Sequence, residues 1–369
     1  MSAGDAVAGS ATDITQEAAR DLLVDLVAVP SVSGDERACA ERLVDFFESH
    51  GREVWLDDVG NVRAPGDDGV LLTSHVDTVP GEIPVRVEEA DVSETRYDGD
   101  VAEVLWGRGS VDAKGPLAAM AVTAVETGAS FVGVVGEETT SRGAHHLVED
   151  RAEPDAVVNG EPSGWDALAL GYRGYLAGTY TVDVDSVHSS RPDPNAVELA
   201  TAWLADVKAA FAAPEDGAVF ESVTVKPVDF DGGLTEDGFA TTATVDVQFR
   251  IPPGTTADEI RATAEEHLDA GSVSWGDPLP PTLSSPRTAL ARAFRVAIRA
   301  EDGDPGLLRK TGTSDANCYA DAWDCPVATY GPGDSALDHA PDERLALTEY
   351  DRAIAVLERV ATTCLEDDE

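Results

Sequence analysis

The sequence predicts an α/β protein in which an inserted ferredoxin-like α+β domain interrupts a larger domain with a mostly parallel mixed sheet. Its 369 residues exceed one typical domain. Short apolar runs alternate with helical segments near both ends of the chain, which is typical of parallel sheets with crossover helices. Only the middle of the chain has the strict alternation of antiparallel strands. We therefore place one domain over residues 1–172 and 286–369 and the insert over residues 173–285.

The larger domain is predicted from helical periodicity and from apolar runs that end in loops. Pro30 ends the first helix, and a second amphipathic helix follows the loop. In chain order we expect helices at about 15–29 and 36–50, a strand at 70–74, a helix at 116–127, a strand at 130–135, a helix at 142–150 and a strand at 156–159. After the insert we expect a long helix from about 286, a strand at 327–330 and a helix at 347–363.

The insert begins where the pattern changes, near Gly171. In chain order it has an alternating run at 175–190, a helix at 196–213, alternating runs at 221–228 and 243–250, and a helix at 257–270. This order fits the ferredoxin-like β-α-β-β-α-β unit.

The net charge of −44 indicates a halophilic protein. The chain has 70 acidic residues and 26 basic ones, and only four of the basic residues are lysines. At molar salt the Debye length falls to about 3 Å, so the mutual repulsion of these charges is screened. Such an anionic surface argues against nucleic acid or an anionic membrane as partner.

Cysteine usage and the N-terminal segment indicate the cytoplasm. The four cysteines are scattered and form no C-x-x-C pair, which is typical of reduced thiols. The first twenty residues lack the basic and apolar parts of a signal peptide. No run of about 18 apolar residues could span a membrane, so we expect a cytoplasmic protein.

Potential metal ligands follow the buried strands of the larger domain. In open α/β sheets, ligand sites lie outside the carboxyl ends of the strands. Random surface acids would not recur at each strand end. Asp112 lies in a glycine-bounded loop before a helix and completes the set. The predicted metal ligands are His75, Asp112, Glu138, Glu161 and His339.

Two imidazoles and three carboxylates exceed the four ligands of one tetrahedral zinc. They suit two ions bridged by Asp112, which polarise a carbonyl and lower the pKa of a shared water. Glu137 and Glu138 could be solvated strand-end acids, but adjacent side chains of a strand point to opposite faces. We therefore assign Glu138 to a metal and Glu137 to the proton of the reacting water. Asp77 is expected to hydrogen-bond the far imidazole nitrogen of His75.

The chain resembles the dinuclear-zinc aminoacylase and carboxypeptidase family, which includes acetylornithine deacetylase, succinyl-diaminopimelate desuccinylase and glutamate carboxypeptidase. The resemblance rests on SHVDTVP, GRGSVDAKGPLAA, GEE, GEPSG and DHAPDE, in the family's order and over nearly the whole chain. It implies a zinc-peptidase catalytic domain with two Zn²⁺ or Co²⁺ ions and Glu137 as general base. It also implies a lid domain through which the protein forms a homodimer, and a cis peptide bond between Asp112 and Ala113.

Within the family, HVDTVPGEIPV, RKTGTSDAN and YGPGDSALDHAPDE look closest to the hydrolases that release lysine or ornithine from an amino-group carrier protein, LysW. The resemblance thus implies a carrier-linked or small N-acyl amino-acid substrate in lysine or arginine biosynthesis. The alternatives are a deacetylase, a desuccinylase or a carboxypeptidase of the same family. A non-catalytic homologue would be expected to lack a metal ligand or Glu137, and all of these residues are present.

Five further residues are candidates for substrate binding, and each also has a structural interpretation. His188 could be a plain surface residue, but the resemblance implies that it reaches across a dimer interface to the substrate carbonyl oxygen. Arg250 could be a strand-end charge, but the resemblance implies that it binds a carboxylate, which its planar fork suits. The KTGTSDAN segment could be only a turn. Because Lys310 is one of four lysines, we expect it to bind a substrate carboxylate together with Gly312 and Thr313.

Overall fold

The computed structural model describes residues 14–92, 101–214 and 217–366. The helices are α1 (Gln16–Ala28), α2 (Arg37–Ser49), α3 (Lys114–Thr127), α4 (Arg142–Asp150), α5 (Ala196–Ala210), α6 (Ala257–Glu266), α7 (Ala289–Ala300), α8 (Asp315–Ala322) and α9 (Leu347–Glu366). The strands are β1 (Trp55–Leu56), β2 (Val62–Ala64), β3 (Asp67–His75), β4 (Arg86–Asp91), β5 (Val101–Trp106), β6 (Ala129–Val134), β7 (Val157–Gly160), β8 (Ala167–Tyr172), β9 (Gly174–Asp185), β10 (Thr224–Leu234), β11 (Ala240–Ile251), β12 (Ser272–Trp275), β13 (Thr282–Leu283), β14 (Gly306–Lys310), β15 (Val327–Thr329) and β16 (Arg344–Ala346).

These elements form two compact units. The described residues of the first unit are 14–92, 101–170, 284–308 and 322–366, and those of the second are 171–214, 217–283 and 309–321. The segment 309–321 belongs to the second unit although it follows the predicted insert in the chain.

The main sheet of the first unit has a parallel centre and antiparallel edges, which confirms the predicted α/β fold with a mixed sheet. Strands β6, β3, β7 and β15 lie side by side and run parallel. Strands β2 and β1 continue antiparallel beyond β6, and β8 lies antiparallel beside β15. The four central strands are those predicted from apolar runs. Strands β1 and β2 were not predicted, because strands of two and three residues are too short for a periodic pattern.

Helix α3 is buried over most of its length and packs against α1 and α9. It begins at Lys114, two residues before the predicted start at Pro116. Proline is tolerated there because the amide groups of the first helical turn have no intrahelical partner. Because α3 begins at Lys114, the loop that carries Asp112 leads directly into the first turn of the helix.

A second, smaller sheet of the first unit has the order β16, β5, β4 and is antiparallel. The sequence did not predict it, because β4 is exposed and carries mostly charged side chains. Among the described residues, none of the helices combines the length and hydropathy that a membrane span requires.

The second unit has the predicted β-α-β-β-α-β order. Its antiparallel sheet has the strand order β10, β11, β9, β12. Its core includes Tyr180, whose ring stacks on Trp203 at 4.5 Å between centroids. Helix α5 ends at Ala210, before the predicted residue 213. Pro214 follows shortly and disfavours helical backbone before it.

Candidate metal centre

The carboxyl ends of the four central parallel strands carry the predicted metal ligands. His75 is the last residue of β3, and Glu161 directly follows β7. Glu138 lies in the loop after β6, and His339 lies in the segment after β15. Because these strands are neighbours in the sheet, residues that are far apart in the chain come together at one edge. The fifth predicted ligand, Asp112, immediately precedes the peptide bond to Ala113, which is cis as the resemblance implies.

The five residues form two groups that share Asp112. In the first group, His75 Nε2 lies 3.1 Å from Asp112 Oδ1 and 3.9 Å from Glu161 Oε1. In the second, His339 Nε2 lies 3.3 Å from Asp112 Oδ2 and 3.0 Å from Glu138 Oε2. Each oxygen of the Asp112 carboxylate therefore faces a different histidine, which is the arrangement of a bridging ligand.

The spacing and the burial of these atoms fit a pair of metal ions. Ligand atoms that are each about 2.0–2.1 Å from one tetrahedral zinc lie about 3.3 Å apart, close to the observed spacing. The second carboxylate oxygen of Glu138, Oε1, is buried and has no hydrogen-bond partner among the described residues. A buried carboxylate oxygen without a donor is costly, and a bound cation would satisfy it.

The carboxylates of the centre raise the pKa of both histidines. The hydrogen bond to Asp112 raises the pKa of His339 to about 9. Burial acts to lower the pKa of His75, but the Asp112 and Asp77 carboxylates outweigh it and hold this pKa well above its usual value. These shifts show how strongly the site favours positive charge.

The close packing of charged groups also shifts the pKa values of two carboxylates, Asp112 and Glu138. Burial acts to raise the pKa of Asp112, but the imidazoles of His339 and His75 hold it below its usual range. Burial and the nearby Asp112 charge raise the pKa of Glu138. Asp112 thus lies beside enough positive charge to favour its ionised form, whereas Glu138 does not. A cation bound next to Glu138 would favour the ionised form of that carboxylate.

The buried Asp77 carboxylate binds the loop that carries Glu137 and Glu138. Asp77 Oδ1 accepts the backbone amides of Gly136 and Glu137 at 3.0 and 3.1 Å, and Oδ2 accepts that of Glu138 at 3.2 Å. The sequence predicted that this carboxylate contacts the far nitrogen of His75. That nitrogen, Nδ1, instead donates to the Asp77 main-chain carbonyl at 2.9 Å and lies 3.6 Å from the carboxylate. The carbonyl fixes the tautomer that leaves Nε2 unprotonated for a metal.

Glu343 holds the loop that carries Asp112. Its buried carboxylate accepts the backbone amides of Val111 and Asp112 at 2.9 and 3.1 Å and pairs with Arg108 at 2.7 Å. Glu343 is the last residue of the DHAPDE segment and was not among the predicted site residues. Its position four residues after His339 is the only sequence signal, and in so acidic a chain it does not distinguish a buried carboxylate from a surface one.

The second unit brings Arg250 and Thr313 together. The Arg250 guanidinium donates to Thr313 Oγ1 at 3.0 Å and lies 5.0 Å from the centre of the Tyr175 ring. Burial lowers the pKa of Arg250. Within the described residues no carboxylate lies in ion-pair distance of this half-buried guanidinium. A desolvated arginine of this kind can accept an anionic group from outside the chain.

The other predicted substrate residues lie elsewhere in the second unit. His188 follows β9 and is exposed, and its Nδ1 lies 2.8 Å from Ser190 Oγ. Lys310 is the last residue of β14. A Cβ atom added at Gly312 would meet no atom within 4 Å of the described residues, so the chain is open to its surroundings there.

Residues 71–363 match the sequence profile described as peptidase family M20/M25/M40. The chain is 41% identical to the LysW-lysine hydrolase of Deinococcus radiodurans, over 94% of this chain and 97% of that protein. It is 26% identical to the LysW-lysine/LysW-ornithine hydrolase of Sulfurisphaera tokodaii, over 96% of this chain and 98% of that protein.

Two solved structures share the fold. The aminopeptidase PepT of Bacillus cereus superposes with a TM-score of 0.76 at 18% identity, covering 96% of this chain and 100% of that one. The YXEP protein of Bacillus subtilis, described as a dinuclear metal-binding peptidase, superposes with a TM-score of 0.68 at 14% identity, covering 95% and 98%. At such identities the likeness shows the fold alone.

Proposed function

The chain belongs to peptidase family M20/M25/M40, and we propose that it is a metal-dependent amide hydrolase that releases lysine or ornithine from a carrier protein. The observation that carries the proposal is the 41% identity, over nearly the full length of both chains, to a LysW-lysine hydrolase. The complete set of clustered ligands supports an active centre. Acetylornithine deacetylase, succinyl-diaminopimelate desuccinylase and metallocarboxypeptidase remain the alternative activities.

We propose that His75 and Glu161 hold one divalent ion, His339 and Glu138 hold the other, and Asp112 bridges them. When bound, two zinc or cobalt ions polarise the scissile carbonyl and lower the pKa of the attacking water. Glu137 accepts a proton from this water and delivers it to the leaving nitrogen as the carbon–nitrogen bond breaks. The new carbonyl–oxygen bond leaves a carboxylic acid on the carrier and a free amine on the amino acid.

Asp77 supports both adjacent glutamates in this scheme. Its carboxylate accepts the backbone amides of residues 136–138, so it fixes the backbone from which the Glu137 and Glu138 side chains extend. A base held in place in this way needs no rearrangement to meet the water. Asp77 is therefore a positioning residue that acts through Glu137 and Glu138.

We propose that Arg250, Lys310, Gly312, Thr313 and His188 bind the substrate. Arg250 is supported by its half-buried guanidinium, which has no carboxylate partner among the described residues. Lys310 supplies a second cation for a substrate carboxylate, and His188 a donor for the carbonyl oxygen. These assignments rest on the family resemblance and on the chemistry of the side chains.

A homodimer through the second unit is also proposed. Strand β10 is an edge strand of its sheet. It and the following turn expose large apolar side chains: Val228 (54% exposed), Phe230 (41%), Leu234 (63%) and Phe239 (77%). An open apolar edge invites pairing with another chain. Light scattering of the wild type and of Phe230→Glu should give the mass of a dimer and of a monomer respectively, and a monomeric wild type would contradict the proposal.

The experiment that tests the activity measures amine release from four substrates. The purified protein is incubated with carrier-linked lysine, carrier-linked ornithine, acetylornithine and succinyl-diaminopimelate in high salt, as the proposed halophilic cytoplasm requires. We expect the highest kcat/KM for a carrier-linked substrate. Equal or faster turnover of acetylornithine would replace the carrier assignment with the deacetylase, while no turnover of any substrate would favour a binding protein.

A further inference from the structure

The longest stretch of the chain without an acidic residue contains four arginines. Residues 278–300 include no aspartate or glutamate, although 70 of the 369 residues are acidic. The same stretch contains Arg287, Arg292, Arg295 and Arg299, which we call the arginine stripe. An acidic surface that serves solubility in high salt has no reason to be interrupted here.

The arginine stripe lies along helix α7 and the residues that precede it. Arg292, Arg295 and Arg299 are spaced three and four residues apart, so they share one face of the helix. The opposite face is buried in the core of the first unit through Phe294 and Ile298. Arg292 and Arg299 are exposed, and they are two helical turns apart, about 10 Å along the axis.

Among the described residues, the guanidinium groups of Arg292, Arg295 and Arg299 bond to main-chain carbonyls and to no carboxylate. Arg292 donates to the carbonyl of Arg287 at 2.6 Å, and Arg299 to that of Arg295 at 3.2 Å. Arg295 donates to the carbonyls of Ala291 and Pro286 at 3.2 and 3.1 Å. Across the parts of the chain that the structure describes, none of the four forms an ion pair. Their charges are therefore available to a partner.

Exposed arginines elsewhere in the chain have carboxylate partners close by. Arg37 lies 2.8 Å from Glu41, and Arg191 lies 3.2 Å from Asp193. At the end of α7 itself, Glu301 pairs with Arg359 of the neighbouring helix α9 at 2.8 Å. The acid that directly follows the last residue of α7 is therefore already paired with a cation.

We propose that the arginine stripe docks an acidic surface of the carrier protein that presents the substrate. This inference rests on the proposed function, which requires a protein to be held while its linked amino acid is released. The stripe and the metal ligands belong to the same compact unit. In molar salt the Debye length is about 3 Å, so the attraction acts at contact, through bidentate guanidinium–carboxylate pairs, rather than over a distance. Nucleic acid fits less well, since the rest of the surface repels a polyanion.

The test compares a carrier-linked lysine with a free N-acyl lysine as substrates of the full-length protein. The stripe variant is Arg292→Glu with Arg299→Glu, and a milder variant replaces the same residues with glutamine. The matched control, Arg37→Glu with Arg42→Glu, changes the net charge equally on helix α2 of the same unit. We expect KM for the carrier-linked substrate to rise about two- to thirtyfold in the stripe variant, the range for two exposed ion pairs. The glutamine variant should shift KM less, and the control should stay near the wild type. Turnover of the free substrate should be unchanged in all variants.

Four other results would each overturn the docking inference, and each can be distinguished from the others. Equal KM values for the carrier-linked substrate in wild type and stripe variant would reject the docking surface and leave the proposed function standing. No release from the carrier by the wild type would reject the function, and the carrier as occupant with it. A changed oligomeric state in the stripe variant would assign the stripe to a second copy of the chain. Binding of duplex DNA that only the stripe variant loses would assign it to nucleic acid.

Discussion

The buried carboxylate of Glu343 accepts the backbone amide of Asp112 at 3.1 Å, and so connects two segments that carry predicted metal ligands. His339 lies four residues before Glu343, and Asp112 bridges the two ligand groups. One side chain therefore positions Asp112, which both candidate groups share, relative to His339.

Glu343→Gln should weaken metal binding about 10- to 100-fold, the usual effect of losing a residue that orients a ligand. A glutamine cannot accept both loop amides and also accept from Arg108, because its amide nitrogen is a donor. Competition with a chelator measures the affinity. The matched control is Asp57→Asn, because Asp57 also accepts loop amides and pairs with buried Arg63, at 2.8 Å. Equal metal affinity in both variants would show that Glu343 is only structural.

Glu137→Gln should retain metal and fold but lose about 10²- to 10⁴-fold in kcat, the scale of general-base catalysis. Glu138→Gln should instead lose metal, because Glu138 Oε2 lies 3.0 Å from His339 Nε2 within the second ligand group. Metal analysis and kinetics of the two variants test this division. If both variants lost metal equally, the separate roles of the two glutamates would be wrong.

Zinc added to the metal-free protein should release protons, and activity should rise up to about two equivalents per chain. The pKa of His339 is raised to about 9, chiefly by Asp112. Below that pH the metal-free imidazole carries a proton that a metal must displace, so apparent affinity should fall as the pH falls from 9. Calorimetry in buffers of different ionisation enthalpy counts the protons. Full activity at one equivalent would contradict the bridged centre.

Arg250→Lys should raise KM more than it lowers kcat, because a lysine cannot reproduce a bidentate contact with a carboxylate. Arg309→Lys is a suitable control, since Arg309 lies in the same unit and pairs with Glu221 at 3.1 Å. Steady-state kinetics with the preferred substrate measure both constants. An unchanged KM in Arg250→Lys would remove Arg250 from the substrate site.

The melting temperature should fall as salt is removed. The acidic groups that give the net charge of −44 repel one another. This repulsion acts over a Debye length that grows from about 3 Å at 1 M salt to about 30 Å at 0.01 M. Thermal melts in potassium chloride across this range measure the effect. A constant midpoint would contradict the halophilic interpretation.

The clustering of the predicted ligands could be foreseen because their positions are tied to a simple feature of the fold. Parallel strands end at one edge, and His75 and Glu161 lie where apolar runs stop. The strand ends and the residue types that zinc prefers are enough to predict these positions.

The supporting residues were less predictable because burial is decided by tertiary packing. Nothing in the sequence separates the buried Glu343 from the many acids at the surface. The direction of the Asp77 carboxylate depends on the turn after β3, which lets it accept the amides of residues 136–138 and leaves it 3.6 Å from His75 Nδ1. Periodicity describes regular strands and does not extend into such a turn.

The sharing of Asp112 between two ligand groups has a consequence for the order of biosynthesis. His75, Asp112 and Glu161 are all translated before the second unit, whereas His339 is translated after it. A nascent chain on the ribosome therefore contains the first candidate group long before it contains the second. A product truncated before His339 retains the first group of residues but lacks the complete pair.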